Sequence, residues 1–184
     1  MAQTFLHTLF GPGARALQEK AGSRASYARM EANAGEADLL TDREADFIAT
    51  RDSLYMASIS EDGWPYVQHR GGPAGFLRRI AGNRIGFADY RGNRQYLSTA
   101  NLAADDRVAL FLMDYPNRRR LKLIGHAHGS DDPADIAALM VSDYAAEPER
   151  AFIIDIIGYD WNCTQHITPR FTDADIRRGA QPLL

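Results

Sequence analysis

Between Leu54 and Gly129 the chain offers six stretches of strand character, most of them joined by turns of only a few residues, and this succession limits the fold more than any other feature. LYMASIS (54–60) and WPYVQHR (64–70) flank Glu61-Asp62-Gly63 and read as a hairpin, with Gly63 supplying a positive φ at the turn. FLRRI (76–80) and RIGFADY (84–90) follow across Ala81-Gly82-Asn83. RVALFLMDY (107–115) and LKLIGHAHG (121–129) are joined across Pro116-Asn117-Arg118, and AFIIDIIGYDW (151–161) supplies a later strand. Sequential hairpins with few short helices between them predict a mainly β, α+β chain: a six- to seven-stranded antiparallel barrel with flanking helices.

The rest of the chain serves that sheet. Residues 1–40 are rich in Ala and Gly, carry one expected short helix around ARALQEKAG (14–22), and read as an N-terminal arm or helical cap on a barrel domain spanning 41–184. Together they make a single domain. Thr41 and Glu44 predict a capping box before the helix ADFIATR, with Phe47 and Ile48 facing the core. A helix is expected over NRQYLSTANLA (93–103). Another is expected over residues 132–147, capped by Asp131 or Asp132 with Pro133 in its first turn, and FTDADIRRG (171–179) predicts a last short helix.

Charge restricts the partners. With 21 Lys+Arg against 24 Asp+Glu, the net charge is −3, which argues against the general basic field that captures nucleic acid. Any anion site must be local. Such a site is expected in DYRGNRQYLSTANL (89–102), where Arg91, Asn93, Arg94 and Gln95 crowd between a strand end and a helix start. Free backbone N–H groups point outward at such a junction, and guanidinium forks suit phosphate oxygens. Arg118, Arg120 and Lys122 form a second basic cluster, on one face of a strand; turn charges are the plain reading of such a run.

Other chemistries find little support. No phosphate loop, dinucleotide fingerprint, G-x-S-x-G elbow or H-E-x-x-H motif occurs. His126 and His128 share one strand face and could supply two metal ligands, but no third is identifiable, and the small-polar alternation around them reads as a solvated strand end; no metal is expected. Cys163, the single cysteine, excludes an intrachain disulfide and sits near His166 without an identifiable orienting acid, so it reads as a small packed residue. No leader or membrane-spanning run is read from the chain, and a cytoplasmic protein is expected.

Taken in order, G-x-P-x-x-x-x-R at Gly63–Arg70, IGFADYRGNRQ, NLAADDRVALF and RRLKLIGHA resemble the pyridoxamine 5′-phosphate oxidase-like, FMN-binding split-barrel family over residues 54 to about 130. The resemblance implies a split β-barrel that binds FMN as a homodimer, with the cofactor at the subunit interface and a small-molecule redox substrate. It places Gln68, His69 and Arg70 along the isoalloxazine ring and ribityl chain, and Phe87 and Ala88 where the next strand meets the cofactor. Asn93, Arg94 and Gln95 match the phosphate seat, Arg120 a position reaching the polar edge of the flavin, and Trp161 with Asn162 a late tryptophan near the ring. GGPAG (71–75) departs from the vitamin-B6 oxidases as an insertion, and their C-terminal arginine cluster has no clear match, although Arg170, Arg177 and Arg178 lie nearby. Oxidation of pyridoxamine phosphate itself is therefore not expected, and no catalytic residue is assigned. A non-catalytic flavin carrier and a haem-binding barrel, with His69, His126, His128 or His166 as axial ligand, are the alternative functions.

Overall fold

Alternation along the strands sets the sheet. In the computed structural model, which describes residues 4–161, 164–177 and 179, Leu54 and Met56 turn into the core along β1 (Ser53–Ile59) while Tyr55 turns outward. β2 (Pro65–Gly71) returns in register from Ile59 opposite Pro65 to Ser53 opposite Gly71, and Gly63 closes the turn at φ 81°. Two more hairpins follow: β3 (Arg78–Ala81) with β4 (Arg84–Tyr90), and β5 (Arg107–Asp114) with β6 (Arg119–Ser130).

β7 (Pro148–Trp161) pairs with both β6 and β4 and completes a seven-stranded antiparallel sheet in the order β2-β1-β5-β6-β7-β4-β3. The two ends of the sheet are not far apart, because Arg70 near the end of β2 reaches Asp89 on β4, the strand next to the opposite edge, at 2.5 Å. The sheet therefore curls back on itself and leaves a seam, which is the antiparallel barrel expected from the hairpins in the split form that the resemblance implies. Its interior is one apolar cluster in which Leu54, Met56, Leu110, Leu121, Phe152 and Ile154 are almost wholly buried.

A β-bulge makes the long last strand serve two parts of the core. Opposite Ile124 and Gly125 the register with β7 slips from Gly158 to Ile156, leaving Ile157 as the extra residue. Phe152, Ile154 and Ile156 point inward before the bulge, whereas Tyr159 and Trp161 pack on the core after it. Asn83, in the β3–β4 turn, ties the bulge down: its carbonyl accepts from Ile156 N at 2.9 Å, its side chain donates to Ile156 O at 3.2 Å and to Asp38 O at 2.7 Å.

Helices clothe this sheet. The described part of the N-terminal region holds three, α1 (Phe5–Leu9), α2 (Pro12–Lys20) and α3 (Arg24–Asn33), where the sequence predicted one. Gly158 lets α1 lie directly on β7, since a Cβ there would stand 2.3 Å from Phe5 N. Asp38 accepts the backbone N–H groups of Phe5 at 2.8 Å and Tyr159 at 3.2 Å. α4 (Asp42–Ala49) carries the predicted capping box, with Phe47 and Ile48 buried.

α5 (Leu97–Ala104) starts four residues later than expected. Arg94 and Tyr96 adopt positive φ, 59° and 52°, which breaks helical geometry and leaves residues 91–96 as a loop. α6 (Pro133–Leu139), capped by Asp132, also stops early, because Met140 turns extended at ψ 144°. α7 (Asp173–Arg177) is the short last helix. Among the described residues no helix is long and apolar enough to cross a membrane.

Candidate functional site

The seam of the barrel opens into a cleft where β2, β4, α5 and the start of β7 converge. Its larger lobe, about 250 Å³, is lined by Gln68, Arg70, Asp89, Asn93, Arg94 and Glu149, among others. A smaller lobe of about 160 Å³ continues past Arg70 and Asp89 to His69, Phe76, Phe87 and Ala88, with Tyr144 closing it. Together the lobes reach the size of small-molecule sites, roughly 300–1,000 Å³.

Each wall has a local cause. Alternation on β2 puts Gln68 and Arg70 on the inward side, half-buried, while Val67 and His69 face out. Ser98, buried in the first turn of α5, donates to Gln68 Oε1 at 2.7 Å, and Asn101 one turn later donates to Ser58 Oγ at 2.9 Å. These bonds fix the helix start against β1 and β2. Among the described residues no side chain caps α5, so its first N–H groups are left without a cap there.

Arginines dominate the electrostatics. Arg70 pairs with Asp89 at 2.5 Å and lies over the Phe152 ring, 5.2 Å from its centroid. Arg150, directly opposite Asp89 on β7, approaches the other carboxylate oxygen at 3.7 Å and lies 5.2 Å over the Tyr96 ring. Among the described residues, neither Arg70 Nε nor Arg150 Nε, both buried, has a hydrogen-bond partner. Burial pushes the Asp89 carboxyl above its ordinary range even though Arg70 and Arg150 pull the other way.

The loop 91–96 is held by acids on β7. Arg91 reaches Glu147 at 2.5 Å and Glu149 at 3.2 Å, Tyr96 donates its hydroxyl to Glu149 at 3.3 Å, and Arg94 Nε stands 3.9 Å from Glu149. Asn93 folds its side chain back to accept from Gln95 N at 3.2 Å.

The structure gathers Gln68, His69, Arg70, Phe87, Ala88, Asn93 and Arg94 around this cleft. Gln95 is exposed beside it without lining it. Arg120 and Trp161 stand elsewhere. Arg120 shares the outer face of β6 with Lys122, opposite Met113, and its buried Nε has no hydrogen-bond partner among the described residues. Trp161 packs edge-on against Phe47, donates to Glu44 Oε1 at 2.8 Å and has the Arg43 and Arg119 guanidinium groups 4.5 and 4.9 Å from its ring centroid. Asn162, with Cys163 and Arg178, lies outside the described residues.

Of the histidines, His126 and His128 are exposed on β6, with His126 Nδ1 2.7 Å from Asp106. Arg170 stacks over Tyr115 at 4.9 Å. Sequence reasoning missed Asp89, Glu149 and Arg150. Asp89 alone left a local trace, as an acid inside the apolar run IGFADY.

A curled antiparallel sheet with a charged cleft at its seam defines a split-barrel protein. The chain belongs to the pyridoxamine 5′-phosphate oxidase family, whose sequence model matches residues 40–156. Among curated proteins none matches the chain in sequence. Solved structures repeat the fold at low identity. HupZ of Group A Streptococcus superposes with a TM-score of 0.56 at 13% identity, over 72% of this chain and 99% of that one. A Clostridium acetobutylicum protein related to general stress protein 26, of the pyridoxinephosphate oxidase family, gives 0.50 at 12%, over 73% and 95%.

Proposed function

We propose that this chain binds FMN in the seam cleft and acts as a flavin-dependent oxidoreductase on a small molecule. The observation that supports this most is Arg70 Nε, a buried donor in the cleft lining without a hydrogen-bond partner among the described residues, with Arg94 beside the uncapped start of α5. Donors of that kind suit an anion more than any neutral ligand. Arg94 and the N–H groups at the start of α5 would hold the phosphate, Arg70 and Gln68 the ribityl chain, and Phe87 with Ala88 would border the ring in the smaller lobe.

When bound, the flavin supplies electron transfer, while the protein contributes orientation and local charge. Ser98 does the orienting for Gln68 by fixing its carboxamide. Phe76 and Tyr144 wall the smaller lobe.

Arg94→Glu tests the phosphate seat. A charged hydrogen bond to phosphate is worth about 1.5–3 kcal/mol, so FMN should bind on the order of a hundredfold more weakly while riboflavin changes little. Fluorescence titration of both ligands checks this. Equal losses for the two would remove Arg94 from the seat, and a Soret band in place of flavin absorbance in the purified protein would overturn the flavin reading in favour of haem.

The same reading makes the protein a homodimer with the cofactor between subunits. Support comes from the outer sheet face, where Tyr55, Val67, Phe111 and Ile124 line an apolar groove of about 530 Å³ beside α1 and α2. Val67 is 60% exposed, unusual for valine on a strand. Arg120 lies on this face, so a second copy would bring it to a cleft it does not reach within its own chain. Light scattering should report about twice the chain mass of 20.4 kDa. A monomer that still binds FMN tightly would refute the shared site.

A further inference from the structure

The cleft already holds a carboxylate where its proposed ligand would bring a phosphate. Glu149, the second residue of β7, has a side chain only 14% exposed and faces the loop 91–96. It accepts from Arg91 Nε at 3.2 Å and from Tyr96 Oη at 3.3 Å, with Arg94 Nε 3.9 Å away. All three donors come from one six-residue loop, and two of its residues sit at positive φ. Asp89, the other acid of the lining, is differently placed. Arg70 holds it at 2.5 Å and Arg150 stands behind it, so its charge is already answered.

We propose that Glu149 is the specificity-determining residue of the cleft, an internal stand-in that occupies the anion seat and with which any ligand phosphate must compete. This deepens the flavin reading and rests on it only in taking the cleft as an anion site. The lining carries Arg70 and Arg94 against Asp89 and Glu149, so its charges balance without a ligand. A phosphate dianion entering beside Glu149 gains the arginines and tyrosine but meets the carboxylate they already bind. The cost grows with the ligand's charge, because like charges repel in proportion to their product. Glu149 thus keeps the loop in shape while empty and discriminates against highly charged anions.

Glu149→Gln tests this, since it keeps the length and an acceptor oxygen and removes only the charge. The probe is inorganic phosphate, titrated into the full-length protein while the arginine Nε–Hε signals are followed by NMR. FMN and riboflavin are titrated in parallel by fluorescence. Phosphate and FMN should bind at least tenfold more tightly to the variant, and riboflavin should change less than threefold.

Two further variants guard the interpretation. Glu147→Gln removes an exposed acid that pairs with Arg91 but does not line the cleft, and it should shift phosphate binding less than threefold. Glu149→Asp keeps the charge and should stay within threefold of the unaltered protein. Phosphate binding that is absent from every form, unchanged in Glu149→Gln, or raised equally by Glu147→Gln or Glu149→Asp would overturn the proposal. Tighter phosphate binding in Glu149→Gln with no FMN binding to either form would support the role of Glu149 while defeating the flavin reading.

Discussion

Replacing Arg70 by methionine should cost about 3 kcal/mol of stability at neutral pH, because it strips a buried carboxylate of its nearest partner. The Asp89 side chain is 11% exposed and its bond from Arg70 measures 2.5 Å, whereas Arg150 stands too far for a hydrogen bond at 3.7 Å. Methionine keeps much of the bulk over Phe152, so the loss is electrostatic rather than a cavity. Removing one member of a buried pair costs about 3–5 kcal/mol, and the remaining attraction of Arg150 places this site at the lower end.

The effect has a pH signature. Burial raises the Asp89 carboxyl above its ordinary value of 3.8 even with Arg70 present. An acid raised in the fold keeps its proton where the unfolded chain has released it. Between the two values the native state binds more protons, so stability falls as pH rises through that window. Without Arg70 the carboxyl rises further and the window extends to higher pH. Urea denaturation at pH 5 and pH 8 should therefore show the gap between variant and parent widening at the higher pH. A gap equal at both would mean that Asp89 is not the source.

Gly125→Ala should be comparably damaging for a reason that has nothing to do with charge. A Cβ at Gly125 would stand 2.3 Å from Asp155 O and 3.2 Å from Ile156 Cα, both backbone atoms of the bulged β7. Backbone held by the Asn83 bonds cannot swing aside as a side chain can, so β6 and β7 must separate where their register slips. Overpacking of this kind costs about 1–3 kcal/mol. The closeness of the contact points to the upper figure, or a fall in Tm of roughly 6–12 °C for a chain of this length. Gly129→Ala on the same strand is the comparison. Its nearest neighbour would be Arg150 Cδ at an ordinary 3.7 Å, and its Tm should move by no more than about 2 °C. Equal shifts in the two variants would show that strand propensity, not the bulge, governs both.

Much of this is legible in the sequence alone. The hairpins across Gly63, Gly82 and residues 116–118 were readable because turn residues and period-two alternation act over a few positions. The capping box at Thr41 and Glu44 was equally local. The extent of α5 was not, since Arg94 and Tyr96 adopt left-handed φ without the glycine that would announce it, in a loop held by Glu149 from β7. The three helices of the N-terminal region were blurred by their composition, with α3 lacking any clear apolar face and meeting α2 through the Glu31–Arg15 ion pair, while Arg24 pairs with Glu31 within α3 itself.

By itself the sequence determined the strand succession, the basic loop after β4 and the family, because each is written in neighbouring residues. Only the tertiary structure decided what that loop faces. Asp89 and Arg150 meet through the β4–β7 register across sixty-one positions of chain, and Glu149 comes to the loop by the same pairing. It also decided that Arg120 and Trp161 stand apart from Arg70 within one chain, because the outer face of β6 and the end of β7 lie on other sides of the barrel from the seam. Charge complementarity between distant segments leaves no periodic trace along the chain; it exists only once backbone hydrogen bonds have set which strands are neighbours.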